Sequence, residues 1–203
     1  MQEWIDVFWL QVSQTSPLEA LAVGFGLTSV WCSKQESLWV YPTGIVSVLI
    51  YIYLTFDFGI YADTGINGYY LIMSIYGWYH WTDTQQGPQI PITSTNGQEK
   101  GIAIALIITS YLIIRFGLSY TDSTVPNWDA ATTSIAISGM WLMARKKIEN
   151  WLAWIVADAI SVPLYWYKGL PLTSIQFLIF TALATWGYFS WKRNLDLAMN
   201  KRP

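Results

Sequence analysis

The sequence predicts an all-α membrane protein in which seven transmembrane helices form two parallel three-helix repeats joined by a spacer helix, a 3+1+3 order. Three observations carry this expectation. The 203 residues are 53% hydrophobic, 17% aromatic and only 12% charged, where a soluble domain carries about 25% charge. The few charges are segregated, which leaves seven tracts free or nearly free of charge at 20–33, 37–56, 64–79, 101–114, 130–144, 150–167 and 169–191. The chain also resembles itself: Gly77 and Trp81 recur as Gly187 and Trp191, an offset of 110.

Several tracts are shorter than the ~20 residues of a straight spanning helix. Their flanks extend them, because Lys and Arg snorkel while Trp and Tyr anchor at the interface. A soluble bundle would instead show charged faces beside apolar stripes. Residues 1–15 begin acidic, which does not fit a signal peptide, and Trp4, Phe8 and Trp9 point to a short interfacial helix. Residues 16–83 hold the first three-helix repeat, 84–122 a loop and the spacer helix, 123–193 the second repeat and 194–203 a cytoplasmic tail. The link 82–100 is polar and contains Pro88, Pro91 and Gly97, so it reads as a solvated loop. The spacer, Gly101 to Gly117, has no polar centre, as suits a connector. Cys32 is the single cysteine, so no intrachain disulfide forms.

Orientation follows from the basic residues of short loops. Arg115 and Lys168 fall on one side. Lys34, Lys100, Arg145, Lys146, Lys147, Lys192, Arg193, Lys201 and Arg202 fall on the other. This excess places the N-terminus outside and the C-terminus in the cytoplasm.

The repeat has further anchors. Leu18-Glu19-Ala20 matches Trp128-Asp129-Ala130, and Trp31 matches Trp141; with a one-residue slip, Ser47 falls opposite Asp158. An odd number of spans between odd-sized units keeps both units in the same direction. In transporters built from repeats, the substrate site lies near the midplane between them. Asp158 lies at that depth, alone in an apolar span. A carboxylate there opposes insertion by roughly 2.5–3.5 kcal/mol and normally faces a protein interior or a watery path.

Helical spacing puts Trp151, Trp154, Asp158, Ser161 and Tyr165 on one face of span six. Pro163 is expected to kink that span and free the carbonyl of Ala159. On span three, Tyr70, Ser74, Trp78, Trp81 and Gln85 share a face, and Trp78 is its candidate ring-stacking residue. Tyr79 and Trp81 also read as part of an interfacial aromatic belt, and the lone His80 as a surface residue. Span two offers Tyr41, Gly44, Ser47 and Tyr51, and span seven Gln176, Phe180, Ala184 and Gly187; Gly44 and Gly187 read as points of close helix approach. The candidate binding set is therefore Trp78, Trp151 and Trp154 for stacking, Asp158 for charge, and Ser47, Tyr41, Gln176 and Ser161 for hydrogen bonding. With no basic residue at matching depth in a span, Asp158 has a substrate cation as its expected partner; the alternatives are helix packing and a protonated acid.

The sequence also excludes chemistry. It has no phosphate-binding loop with Lys and Ser or Thr, too few His and Cys for a metal cluster, and no second acid beside Asp158 for acid–base work. No catalytic residue, metal or cofactor is expected. The last span holds no lysine for a retinal between Ala182 and Trp191.

At Ile75-Tyr-Gly-Trp-Tyr-His-Trp81 and Lys147-Ile-Glu-Asn-Trp-Leu-Ala-Trp154 the chain resembles the PnuC family of bacterial vitamin transporters, which are related to the SWEET sugar transporters. Tyr61-Ala-Asp63 and Ile160-Ser-Val162 add to the likeness, which runs nearly the whole length. The resemblance implies a SWEET-like three-one-three fold in the bacterial inner membrane. It implies uptake of an unphosphorylated vitamin by facilitated diffusion, with a cytoplasmic kinase trapping it. Members are associated with nicotinamide riboside, thiamine, riboflavin or deoxynucleosides. Nicotinamide riboside members carry asparagine at the positions of Ser47, Asp158 and Trp186. Nicotinamide riboside is the family's default substrate, and thiamine, whose thiazolium and aminopyrimidine suit an acid at Asp158, is the alternative. A proton-coupled transporter with Asp158 as relay is a further alternative. The partners implied are a small-molecule vitamin, membrane lipid and a homo-oligomer such as a trimer; nucleic acid is not among them.

Overall fold

A computed structural model describes residues 2–83, 90–121 and 123–200. Gln85, Pro88, Lys201 and Arg202 lie outside the described residues, as does the side chain of Trp4. Eight helices make up the described chain: α1 (Gln2–Gln14), α2 (Pro17–Lys34), α3 (Val40–Asp57), α4 (Tyr61–Thr82), α5 (Gly97–Leu118), α6 (Pro126–Ala144), α7 (Glu149–Tyr167) and α8 (Pro171–Asn200). Local chemistry sets several boundaries. Ser16 caps α2 by accepting from Glu19 N, with Pro17 in the first turn. Asn96 and Glu99 close a reciprocal capping box at the start of α5. Gly59 and Gly169, at φ 72° and 75°, end α3 and α7 in the left-handed conformation that only glycine adopts cheaply. α8 runs on to Asn200, so residues 194–200 continue a helix. α7 passes through Pro163 as one helix.

The packing is a ring. α2 touches α3, α3 touches α4, α4 touches α6, α6 touches α7, α7 touches α8 and α8 returns to α2. α5 packs on α6 alone and α1 on α8 alone. Among the described residues, α3, α5 and α8 are long and apolar enough to cross a membrane by length and composition. α2, α4, α6 and α7 are less apolar because polar groups such as Ser33, Ser74, Thr132, Asp158 and Ser161 turn inward, where they are buried.

The offset of 110 is kept at the ends of the first two helix pairs. α2 and α6 end at Lys34 and Ala144, α3 and α7 at Asp57 and Tyr167. This corrects the expected pairing: Ser47 stands in the register of Ala157, and Asp158 in that of Val48.

Equivalent residues bond across the ring. Trp81 Nε1 donates to the carbonyl of Met143 at 3.3 Å. Trp191 Nε1 donates to the carbonyl of Ser33 at 3.0 Å. Tyr41 meets Trp81 edge-on at 5.3 Å between centroids, and Trp151 meets Trp191 edge-on at 5.5 Å. Glu36 and Lys146, again 110 apart, face each other at 2.9 Å, and both adopt positive φ, at 57° and 55°. Lys146 is 2% exposed, donates to the carbonyl of Ile90 at 2.8 Å and lies 4.7 Å from the Trp81 ring centre.

The link before α5 differs from expectation. Ile90 and Ile92 are buried rather than solvated. The segment is stitched to the α6–α7 turn by Thr93 N to the Lys146 carbonyl, Ile148 N to the Thr93 carbonyl, and Thr95 N to the Glu149 carboxylate. Glu99 holds Arg145 at 3.2 Å and Lys147 at 2.8 Å. Apolar residues at alternate positions suffice to pin this strap, a signal that its prolines and glycine obscure. At the opposite end, Lys168 pairs with Asp129 at 2.6 Å, and α1 docks through Gln11 Nε2 to the Gly169 carbonyl. Among the described residues, the two ends thus separate the basic residues as the sequence pattern grouped them.

Replacing Glu36 by Ala strands the Lys146 ammonium in the interior. Breaking one partner of a buried pair costs about 3–5 kcal/mol. The purified Glu36→Ala protein is expected to melt well below wild type in a thermal unfolding experiment, with the Glu36→Ala/Lys146→Met double variant recovering part of the loss.

Candidate functional site

Inside the ring the six helices enclose a cavity of about 420 Å³. Every helix of the ring contributes: Ser29 and Ser33 from α2, Ser47 and Tyr51 from α3, Asn67, Tyr70 and Ser74 from α4, Thr132 and Met140 from α6, Trp151, Trp154 and Asp158 from α7, Phe177 and Phe180 from α8. α1 and α5 contribute nothing to its lining.

α7 presents the face that its sequence spacing predicts. Trp151, Trp154, Asp158, Ser161 and Tyr165 all line the cavity. Trp151 is 2% exposed and leans on Gly187, where an added Cβ would lie 2.6 Å from its ring. Trp154 packs beside Gly139 and lies 6.5 Å from Tyr70, centroid to centroid. Asp158 is 6% exposed, and none of the four ion pairs among the described residues includes it. Among the described residues, no Lys, Arg or His lines the cavity.

Ser47 and Ser161 line the cavity with their protons already committed. Ser47 Oγ donates to the Ala22 carbonyl at 2.8 Å, and Ser161 Oγ to the Ala157 carbonyl at 2.8 Å. Each can still accept a hydrogen bond.

Three candidates stand elsewhere. Trp78 is 41% exposed on the outer face of α4. Eight residues at 3.6 per turn rotate it by about 80° from Tyr70, whereas Gly77 returns to within about 20°. The inward face of α4 is thus Tyr70, Ser74, Gly77 and Trp81. Tyr41 is 1% exposed but lies below the cavity, its ring against Gly77 and Trp81. Gln176 is half-buried beside the cavity, near the Tyr51 phenol, which does line it. Trp186 is half-exposed outside the cavity and carries Lys34 Nζ over its ring at 3.0 Å.

Sequence reasoning missed the α6 wall and Asn67. On α6, Thr132, Ala136, Met140 and Met143 recur at helical spacing and line the cavity. Small and flexible residues carry no chemical signature, but the shared spacing was present. Gly77 and Gly187 each admit an aromatic ring from the neighbouring helix: an added Cβ at Gly77 would meet Tyr41 at 2.6 Å.

A closed ring of membrane-length helices around an aromatic cavity holding one unpaired acid has the build of a solute transporter. Comparison with known proteins agrees. The sequence profile of the family described as Nicotinamide mononucleotide transporter matches residues 16–193. The chain belongs to this family, the PnuC transporters, and is a membrane transporter rather than an enzyme. It is similar to the riboflavin/roseoflavin transporter RibM of Streptomyces davaonensis, at 28% identity over 82% of this chain and 80% of that one. It is similar to the nicotinamide riboside transporter PnuC of Escherichia coli, at 23% identity over 86% and 84% of the two chains. Its fold matches the crystal structure of the vitamin B3 transporter PnuC with a TM-score of 0.70 at 19% identity, covering 95% of this chain and 90% of that chain.

Overpacking a tight contact costs about 1–3 kcal/mol. Gly187→Ala is expected to destabilise the purified protein by that amount in thermal unfolding, because the Trp151 ring, held edge-on by Trp191, must shift to admit the new methyl. Gly68→Ala, at a glycine with no heavy atom within 4 Å of an added Cβ, is the neutral control.

Proposed function

We propose that this chain takes up an unphosphorylated, flat, cationic B vitamin by facilitated diffusion, with nicotinamide riboside the first reading. The observation that carries the proposal is the Asp158 carboxylate, buried in an aromatic cavity without a cationic side chain in its lining. A buried charge is retained at such depth when something compensates its cost. A substrate cation compensates it, and Trp154 and Tyr70 offer ring faces worth about 0.5–2 kcal/mol each in a cation–π contact. A lining with one acid and no base opposes a phosphate, which favours the unphosphorylated vitamin over its nucleotide. The relatives named as nicotinamide riboside transporters support the riboside.

Thiamine is the second reading, favoured by the same residue. Its thiazolium is a permanent cation and its aminopyrimidine amine can donate to a carboxylate. Riboflavin, named for the RibM relative, is flat but uncharged, so it could hydrogen-bond Asp158 but not neutralise it. Trapping by a cytoplasmic kinase completes the reading, since the sequence lacks an ATP-binding loop to drive uptake.

The transport unit we propose is a seven-span, 3+1+3 protein whose two triplets, α2–α4 and α6–α8, rock about the cavity while α5 connects them. The ring order, the offset of 110 and the isolation of α5 support this layout. The excess of basic residues at the Lys146 end supports a cytoplasmic location for that end in the bacterial inner membrane. Membrane lipid and a homo-oligomer such as a trimer belong to the same proposal.

Uptake of labelled nicotinamide riboside, thiamine and riboflavin into liposomes holding the purified protein tests the substrate. Saturable entry of either cation, unaffected by a proton uncoupler, is expected; entry of riboflavin alone overturns the charge argument, and abolition by the uncoupler favours the proton-coupled alternative. Asp158→Asn is expected to weaken thiamine binding about 10- to 100-fold, as for loss of a charged hydrogen bond, and riboside binding by a smaller factor, because ribose hydroxyls can also bond an amide. Trp154→Ala is expected to lower affinity for either vitamin, while Trp78→Ala, on the outer face, leaves it unchanged in a calorimetric titration.

A further inference from the structure

Contacts that join the triplets α2–α4 and α6–α8 gather at the Lys146 end of the ring. Trp81 and Trp191 reach across to the Met143 and Ser33 carbonyls there, and Trp31 of α2 meets Trp186 of α8 edge-on at 5.1 Å. At mid-depth Tyr69 Oη donates to the Ile137 carbonyl at 2.9 Å. At the Lys168 end, the Lys168–Asp129 pair at 2.6 Å, the Thr55–Thr64 bond at 2.9 Å and the bond from Ser174 Oγ to the Val162 carbonyl at 2.7 Å each stay within one triplet.

The closure converges on one side chain. Glu36 lies in the turn between α2 and α3, and both of its carboxylate oxygens are held by the second triplet. Oε1 accepts from Asn194 Nδ2 of α8 at 2.8 Å, and Oε2 lies 2.9 Å from Lys146 Nζ. Lys146 in turn donates to the Ile90 carbonyl, in the strap that Thr93 bonds to the α6–α7 turn, so the ammonium belongs to the second triplet. The Glu36 side chain is 20% exposed and that of Lys146 2%, so water already reaches the carboxylate but not its partner.

The layer behind this pair is unusual in its polar atoms. Buried polar groups are almost always hydrogen-bonded, and each exception calls for a reason. Among the described residues, five buried side-chain atoms have no partner: Ser33 Oγ, Tyr41 Oη, Arg145 Nε, Asn150 Oδ1 and Trp151 Nε1. All five sit at the end of α2, the start of α3, the α6–α7 turn or the start of α7, which is the Lys146 end. A seam that stayed shut would leave these groups unsatisfied permanently. A seam that parts lets water bond them in its other state, and packed interfaces of this kind switch between discrete arrangements.

We propose that Glu36 is the latch of a gate at the Lys146 end: release of its carboxylate from Lys146 and Asn194 lets the two triplets part there, hydrates the layer and opens the cavity to that side. The assignment rests on the reading of α2–α4 and α6–α8 as units that rock about the cavity. Glu36 does not line the cavity, so its role is in access and not in contact with the vitamin.

The test reads access to the cavity from each side of the membrane. Ala136, which lines the cavity on α6, becomes the reporter as Ala136→Cys in a Cys32→Ala background. A small, permanently cationic, membrane-impermeant methanethiosulfonate is applied to membrane vesicles of either orientation, and Lys192→Cys, at an exposed position, marks the vesicles that present the Lys146 end. Glu36→Gln is expected to raise the rate of reporter modification from that end about tenfold, as for loss of a charge-assisted bond from the closed state. Asn194→Ala, at an exposed site where folding is not at stake, is expected to raise it about threefold, as for a neutral bond. Neither variant is expected to raise the rate from the Lys168 end. A rise from both ends marks a loosened bundle and overturns the latch. The latch is also overturned if the parent reporter reacts from both ends and neither variant changes the rate from the Lys146 end. A reporter that reacts from one end only, or from neither, in the parent and both variants overturns instead the reading of two rocking units, and the latch falls with it.

Discussion

The structure depends on a reciprocal lock at one end of the ring. Trp81, of α4, bonds the carbonyl of Met143 at the end of α6; Trp191, of α8, bonds the carbonyl of Ser33 at the end of α2. Each indole reaches from one half of the chain to the other, and the Ser33 and Met143 carbonyls, which already accept turn bonds from Glu36 N and Lys146 N, take it on a second lone pair. Glu36 and Lys146 sit just past those same ends and close on each other. Both hold a backbone conformation that ordinarily favours glycine, at a cost of about 1–3 kcal/mol each, which the ion pair and the Ile90 carbonyl offset. The aromatic rings above this lock stack edge to face, a geometry worth about 0.5–1.5 kcal/mol per pair beyond burial.

The lock explains how an open centre persists. Six helices in contact only with their neighbours leave an interior that apolar side chains alone would collapse onto. Closing the ring at its floor with large, mutually braced aromatics frees the level above it for smaller and polar residues. Gly77 and Gly187 make room for the bracing rings to seat. The site therefore draws its shape from residues that are not themselves in it: Tyr41, Trp81 and Trp191 position the floor, and Trp151 belongs to both.

Much of this was readable in the sequence because period and spacing carry over directly into geometry. The inward face of α7 followed from helical spacing alone, and all of its residues line the cavity. On α3, α4 and α8 the candidates Tyr41, Trp78 and Gln176 lie outside the lining, each one residue from Val40, Gly77 or Phe177, of which Val40 and Phe177 line the cavity. The cause is the same each time. Aromatic and amide side chains look functional, and the residue beside them looks structural, yet a rotation of about 100° per residue decides which one faces inward. The α6 wall had no charge, aromatic ring or amide to draw notice, and the strap through Ile92 was hidden by the polar composition around it.

By itself the sequence determined the membrane class, the helical order, the separation of basic residues between two ends and the isolation of an acid at mid-span. These depend on composition and on local period, which a chain carries in every conformation. The tertiary structure decided which groups are spent and which are free. Ser47, Ser161 and Ser33 are equivalent as letters. Only the packing of α2 against α3 and α8, and of α7 upon itself, commits the first two hydroxyls to carbonyls and leaves the third buried without a partner. Hydrogen-bond partnership is a relation between residues distant in the chain, so it becomes definite only when the ring closes.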